Sequence, residues 1–481
     1  MASPPPPASR TTALWRDADF RRLWFGQSAS QLGEHTGLVV LPLLAVLTLD
    51  VDAGWLGVLR AVGQAPVLLL SLLVGAWVDR WRTLTVLVVA DAGRAVVLGV
   101  AAVACAFGLL GLPALLVAAF AAGALSVFFD VAYQASLVRL VARDQLLRGN
   151  SALEGSRSAA QIGGPALGGA LVSAFSAAVG VAAGAAFFVL SFVSVRRIRR
   201  REAVPGRAGG PGRVGLRIRE GVRFVAGDPA LRTVGLASAA FQLFLAASMT
   251  VYLVLLPREL HLSGAAVGLA LAATGPGALV GSLLAARLPG RFGHGTVLVC
   301  GALVGDGVML CVPALHGPTP LVVAALVAVN FLFGAGGQLV NVTVMAVRQA
   351  LTPDGMQGRV AATITFAGMG TAPLGSLFGG FLAQSWGLRP ALFAAAAGML
   401  LSPVLMALSP LARLGRTLPG PGLPLPGPNL PPVGPGNPAG TGNGGATAKT
   451  PEAAEDQGPG PDVTAAARRR PPGPGGGPKV R

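Results

Sequence analysis

Four ionisable side chains lie where the surrounding sequence is almost wholly apolar: Glu34, Arg94, Asp130 and Asp306. A charge inside hydrocarbon costs roughly 2.5–3.5 kcal/mol on insertion scales, so such groups face a cavity or one another. A carboxylate held near a guanidinium in such a place can take up a proton and release it as its surroundings change. Proton coupling is the chemistry these four suggest, with Glu34 as the carrier and Arg94 and Asp130 as its neighbours. A static ion pair that fixes helix packing is the alternative. Asp91 precedes Arg94 by three residues and Glu154 precedes Arg157 by three, a spacing that pairs them on one helix face for structural ends. Gln27, Gln31, Gln161 and Asn341 are polar positions along the same runs and are candidate substrate contacts.

The elements that position these groups must be membrane spans. The chain has 481 residues, 53% hydrophobic and 12% charged, with mean hydropathy +0.65. A soluble domain carries about 25% charge. Val86 to Leu112 holds only Asp91 and Arg94 as charges, and Thr319 to Val347 holds none. A bilayer-spanning helix needs about 20 mostly apolar residues. The runs are continuously apolar rather than alternating, which favours helices over a barrel. Twelve helices are predicted, over 24–48, 54–78, 84–109, 113–138, 150–173, 175–195, 233–256, 265–287, 295–314, 319–347, 360–384 and 389–411. The fifth is the least apolar. Along them Glu34, Arg94 and Asp130 fall at a common depth of roughly 13 to 16 Å.

Arginine in the short loops orients the bundle. Arg10, Arg16, Arg21 and Arg22 precede the first span, and "TLDVDAG" after it has none. Arg80 and Arg82 follow the second span, Arg139, Arg143 and Arg148 the fourth, "RRIRRRE" the sixth, and so on to Arg413 and Arg416. Every second loop is basic, broken only by the single residues Arg258 and Arg389 on the other face. Both termini are therefore expected in the cytoplasm of a plasma membrane. The formal charge of +17 follows from this sidedness rather than from a nucleic-acid partner. Cys105, Cys300 and Cys311 lie in apolar runs and read as small buried hydrophobes, not metal ligands.

The halves repeat. "GAWVDRWRT" from Gly75 answers to "GSLLAARLPGRFGHG" from Gly281, and "GGPALGG" to "APLGSLFGG", at offsets of roughly 206 to 210 residues. The expected organisation is an all-α membrane protein of two six-helix halves in parallel repeat. Residues 1–22 form a disordered tail, 23–195 the first half, 196–232 a central loop, 233–412 the second half and 413–481 a disordered Pro/Gly-rich tail.

Over about residues 17–412 the sequence resembles the major facilitator superfamily. Gly75, Asp79 and Arg80 match the loop motif after that family's second helix; Arg82 stands where a later glycine falls. Gly164, Pro165, Gly168 and Gly169 are similar to the fifth-helix motif of its drug–proton antiporters, with Ala160 in place of one glycine. "DADFRRLWFGQSASQLGEH" and "FFDVAYQASLVRLV" look like the branch of enterobactin exporters and macrolide-efflux proteins. The resemblance implies secondary active efflux of a siderophore or drug-like molecule, with Asp79 as a gate element meeting the start of the eleventh helix near Arg359. A proton-coupled, monomeric transporter without cofactor is expected, in the inner membrane of a bacterium. An importer of the same fold, or a non-transporting sensor or scaffold, is the alternative. An enzyme is not expected: the only lysines are Lys449 and Lys479, outside any P-loop, and no His-Glu-x-x-His occurs.

Overall fold

The computed structural model describes residues 14–78, 81–140, 145–199 and 212–418. Among these the regular structure is entirely helical. The first half comprises α1 (Ala18–Leu47), α2 (Ala53–Val78), α3 (Thr83–Ala106), α4 (Leu112–Leu140), α5 (Leu146–Ala174) and α6 (Ala177–Arg196). An amphipathic connector, α7 (Gly212–Gly227), precedes α8 (Pro229–Arg258). The next span is broken at Ala273 into α9 (Gly264–Ala272) and α10 (Thr274–Ala285), and short α11 (Leu288–Phe292) leads to α12 (His294–Gly307). Then follow α13 (Thr319–Leu351), α14 (Gln357–Met369), α15 (Ala372–Trp386), α16 (Leu388–Met399) and α17 (Leu401–Ala407). Among the described residues, eleven spans are long and apolar enough to cross a bilayer. The sequence predicts twelve, and the difference is α5, whose early turns carry Arg148, Glu154 and Arg157.

Three boundaries differ from expectation. Asp17 caps α1 by accepting from the Asp19 and Phe20 amides at 2.8 and 3.4 Å, so the helix starts at Ala18 rather than beyond residue 22. Leu14 is buried and Trp15 packs edge-on against Phe20 and Trp24, so residues 14–17 belong to the fold. At the other end the Gly415 carbonyl accepts from the His294 amide at 3.0 Å and Leu414 is buried, which fastens the start of the second tail. The central loop holds α7, tied to α14 by Glu220 and Arg359 at 2.5 Å. Cys300 and Cys311 are exposed on their spans, where lipid rather than water is the solvent, so an apolar thiol gains nothing by facing inward.

The repeat reaches single hydrogen bonds. At the end of α1 the amides of Thr48, Leu49 and Val51 return to the carbonyls of Leu44, Leu44 and Ala45. At the end of α8 Glu259, Leu260 and Leu262 return to Leu255, Leu255 and Leu256. Asp50 and His261, 211 positions apart, both adopt φ of 50°, the left-handed conformation that closes such a cap.

The halves meet mainly toward the Arg-poor face. One apolar cluster there joins α1, α2 and α3 to α8, α9 and α15 through residues such as Leu43, Leu56, Val254, Val267 and Leu382. Toward the Arg-rich face the core divides. One cluster, around Leu23, Leu87 and Phe129, belongs to the first half; another, around Leu231, Val347 and Met406, belongs to the second.

Candidate functional site

The ionisable cluster is built around Arg94, in the middle of α3. Its Nη2 donates to Asp91 at 2.5 Å and to Ser30 at 2.9 Å; its Nη1 donates to Ser126 at 3.2 Å and Glu34 at 3.3 Å. The guanidinium lies between the rings of Phe129 and Phe188, at 4.2 and 4.3 Å from their centroids. Asp91 is anchored further by Ser191 at 2.5 Å and Ser30 at 3.0 Å. The Arg94 and Asp91 side chains are 1% and 0% exposed, whereas that of Glu34 is 30% exposed. One acid is locked to the arginine and the other can be reached.

What can be reached opens onto a cavity of about 270 Å³ inside the first half. Glu34, Arg60, Gln64, Arg94, Ser126 and Asp130 bring polar groups to a wall otherwise made of residues such as Leu38, Leu41, Leu59 and Phe188. Glu34, Arg94 and Asp130 thus share one cavity. Asp130 lines it without a hydrogen bond or ion pair among the described residues. Asp91, read from sequence as structural, is the arginine's principal partner. Arg60 escaped the sequence reading altogether. Its signal was present: a single basic residue inside the apolar run of α2, with no acid within a turn on either side.

Asp306 stands apart. It is buried in the second half, beside a separate cavity of about 130 Å³ lined also by Ser238, Asn341 and Ser402. It therefore does not join the Glu34 cluster. Of the polar candidates, Gln27 and Gln31 are buried away from the larger cavity, and both amide atoms of Gln27 lack a partner. Gln161 is exposed on α5, and Asn341 lines the smaller cavity. Gln64, not these, lines the space beside Glu34.

The α5 motif faces two helices. A Cβ on Gly164 would meet Cβ of His35 at 2.5 Å, and one on Gly168 the Thr36 carbonyl at 3.0 Å. Gly169 points the other way, where a Cβ would strike the Gly264 carbonyl of α9. Pro165 lies inside the helix between them. On the opposite side of the bundle, a Cβ on Gly57 of α2 would meet the Ser376 carbonyl at 2.6 Å, and one on Gly380 of α15 the Ala53 carbonyl at 2.8 Å. Gly169, Gly57 and Gly380 bring backbones of the two halves together near the Arg-poor face, whereas Gly164 and Gly168 pack α5 against α1 within the first half. At its rim Arg258 donates to Asp50 at 2.6 Å and to the Val51 carbonyl at 3.1 Å, and Gln384 donates to Asp52 at 3.2 Å. Of the α2–α3 loop motif, Gly75 lies in the last turn of α2 and Arg82 precedes α3, while Asp79 and Arg80 lie outside the described residues. Arg359, the expected neighbour of Asp79, is bonded to Glu220.

A family model described as "Transmembrane secretion effector", of the major facilitator superfamily, matches residues 9–430. The chain belongs to this family. This major facilitator transporter is 28% identical over 392 residues to the "Multidrug efflux pump Tap" of Mycobacterium tuberculosis, covering 77% of this chain and 88% of that one. It is 28% identical to the pump of the same name from Mycolicibacterium fortuitum, covering 79% and 93%. Its fold is that of a crystallised bacterial homologue of the iron transporter ferroportin in an inward-facing state, at TM-score 0.67, 17% identity and coverage of 82% and 98%. The transporter is thus a multi-pass membrane protein and not an enzyme, as the sequence implies.

Proposed function

We propose that this transporter exports a small, partly apolar molecule, siderophore or drug-like, across a bacterial inner membrane in exchange for protons. It works as a monomer by alternating access, with both termini in the cytoplasm. The observation that carries the reading is the unequal grip of Arg94 on two acids. Asp91 pairs with the buried guanidinium independently of Glu34. Glu34, partly open to the cavity and 3.3 Å from Nη1, can therefore be protonated without stranding Arg94. A proton on Glu34 loosens its hold on Arg94 and changes the charge of the cavity wall. Cargo and proton then compete for one space.

Membrane sidedness of arginine makes the Arg-rich face cytoplasmic. The closed, glycine-lined end is then external, and the separate clusters at the other end correspond to an inward-facing state. The name carried by the mycobacterial relatives supports efflux. Asp79 is the proposed latch for the opposite state, in which it would meet the start of α14.

The test is transport of N-phenyl-1-naphthylamine, a neutral apolar fluorophore, into inverted vesicles under an imposed pH gradient. Uptake that collapses with the gradient, and loses its pH dependence in Glu34→Gln, is expected. Uptake that survives both changes removes the proton role; movement only in the opposite direction makes the protein an importer.

A further inference from the structure

Arg60 differs from the arginines that fasten the fold. Arg94 has two acids, two serines and two rings around it; Arg258, Arg359 and Arg389 each have an acid. Arg60 lines the cavity and, among the described residues, has no ion pair and no ring. Its Nε is buried without a hydrogen-bond partner. Arginine stays protonated in proteins. A guanidinium in a partly apolar chamber without a counter-charge is costly, and the chamber must supply an anion to offset it.

The two carboxylates on the same wall do not serve. Neither Glu34 nor Asp130 comes within ion-pair distance of Arg60, and Glu34 is engaged by Arg94. Arg60 lies in the second turn of α2 from the Arg-poor end, whereas Glu34 lies thirteen residues from the matching end of α1. At about 1.5 Å per residue the two differ in depth by nearly 10 Å. Gln64, one turn along from Arg60, offers an amide whose Oε1 is met by Ser376 at 3.5 Å and whose nitrogen has no hydrogen-bond partner among the described residues. Leu59, Leu41 and Pro42 surround this end with apolar surface.

We infer that Arg60, assisted by Gln64, is the subsite for an acid group on an otherwise apolar cargo. The inference rests on the cavity being the transport site. A planar guanidinium takes a carboxylate, sulfonate or phosphate through two parallel bonds, which gives direction as well as affinity. Glu34 and Asp130 repel the same group from the deeper end. An amphiphilic anion would therefore lie with its acid toward the closed face and its apolar body toward Phe188. Inorganic anions share the charge but not the body.

The test uses a scaffold-matched pair: 8-anilinonaphthalene-1-sulfonate, and N-phenyl-1-naphthylamine, which lacks the sulfonate. Binding to the full chain is measured in zwitterionic-lipid nanodiscs, corrected for empty nanodiscs. Arg60→Gln is expected to weaken the sulfonate by about tenfold or more, the scale of a lost charge-assisted bond, and to leave the neutral probe unchanged. Arg60→Lys should recover part of the loss. Arg60→Met, whose melting temperature reports folding, should behave as the glutamine variant does. Unchanged sulfonate affinity in these variants, or equal loss of both probes, overturns the inference. Sodium sulfate that competes as well as the organic sulfonate assigns the subsite to an inorganic ion and overturns it too. Export of both probes from cells separates this failure from that of the transport reading. A protein that exports the neutral probe without preferring the anion refutes only the Arg60 subsite. One that binds the anion through Arg60 but exports neither refutes only the transport role.

Discussion

Arg258 reaches across the two halves to Asp50, closing a 2.6 Å ion pair at the rim of the Arg-poor face. It was one of two arginines that broke the charge alternation in the sequence. The other, Arg389, bonds Glu259 at 2.7 Å and the carbonyls of Pro313 and Leu315 at 2.6 and 3.1 Å. The exceptions are structural fasteners on a face otherwise short of positive charge.

Because the Asp50 side chain is 94% exposed, the pair adds little to stability, about 0.2–1 kcal/mol. Its influence is on the balance between states. Arg258→Gln should leave the melting temperature nearly unchanged but raise labelling, by a membrane-impermeant thiol reagent, of a cysteine introduced at Leu59. Asp50→Asn added to Arg258→Gln should raise it no further. Labelling that stays at the wild-type level in both would remove the rim pair from the closure.

The glycine seams call for a stronger effect. A side chain at Gly169 would enter the Gly264 backbone, and one at Gly380 the backbone of Ala53 and Gly54. Gly169→Val and Gly380→Val should insert normally yet lose export, since the Arg-poor face can no longer close. Near-normal export rates in either variant would mean that the seam is not required in the cycle.

Asp91 and Glu34 should separate in a stability measurement. Asp91→Asn leaves a buried arginine without its main partner and should cost about 3–5 kcal/mol, read as a lower melting temperature in detergent. Glu34→Gln should melt close to the wild type, because Asp91, Ser30 and Ser126 still hold Arg94. Equal destabilisation by the two would contradict the unequal grip on which the proton reading depends.

The α7 connector offers a fourth test. A Cβ on Gly221 would meet the Arg359 carbonyl at 3.0 Å and the Thr363 hydroxyl at 2.8 Å. Gly221→Val should detach α7 from α14, seen as faster proteolysis at the central connector, and Glu220→Gln should do so more weakly. No change in cleavage by either would mean that α7 docks by other contacts.

Much of this architecture is legible in the residues, because the bilayer imposes a length and a charge rule on every span. The alternation of basic loops, the repeat and the common depth of Glu34, Arg94 and Asp130 all follow from counting. Counting fails where two helices must be rotated against each other. Asp91 and Glu34 both lie within about one turn of Arg94 in depth, and only the packing of α1, α3 and α6 decides which is enclosed by serines. Asp306 matches their depth but belongs to the other half. Gln27 and Gln31 share a helix with Glu34 yet lie away from the cavity. The α7 helix was hidden by its arginines, although Ile218, Val222 and Val225 keep an apolar helical spacing.

The twin caps at Asp50 and His261 carry a further implication. Their backbones are interchangeable, but Asp50 binds Arg258 and His261 makes no ion pair among the described residues. The same divergence runs through the interior: Glu34, Arg60, Asp91, Arg94 and Asp130 belong to one half, against Asp306 in the other. A charge carried across a membrane's field responds by about 2.3 kcal/mol per 100 mV. The named charges sum to −1 in each half, so a field pulls alike on the two, although one half carries five charged groups where the other carries a single one.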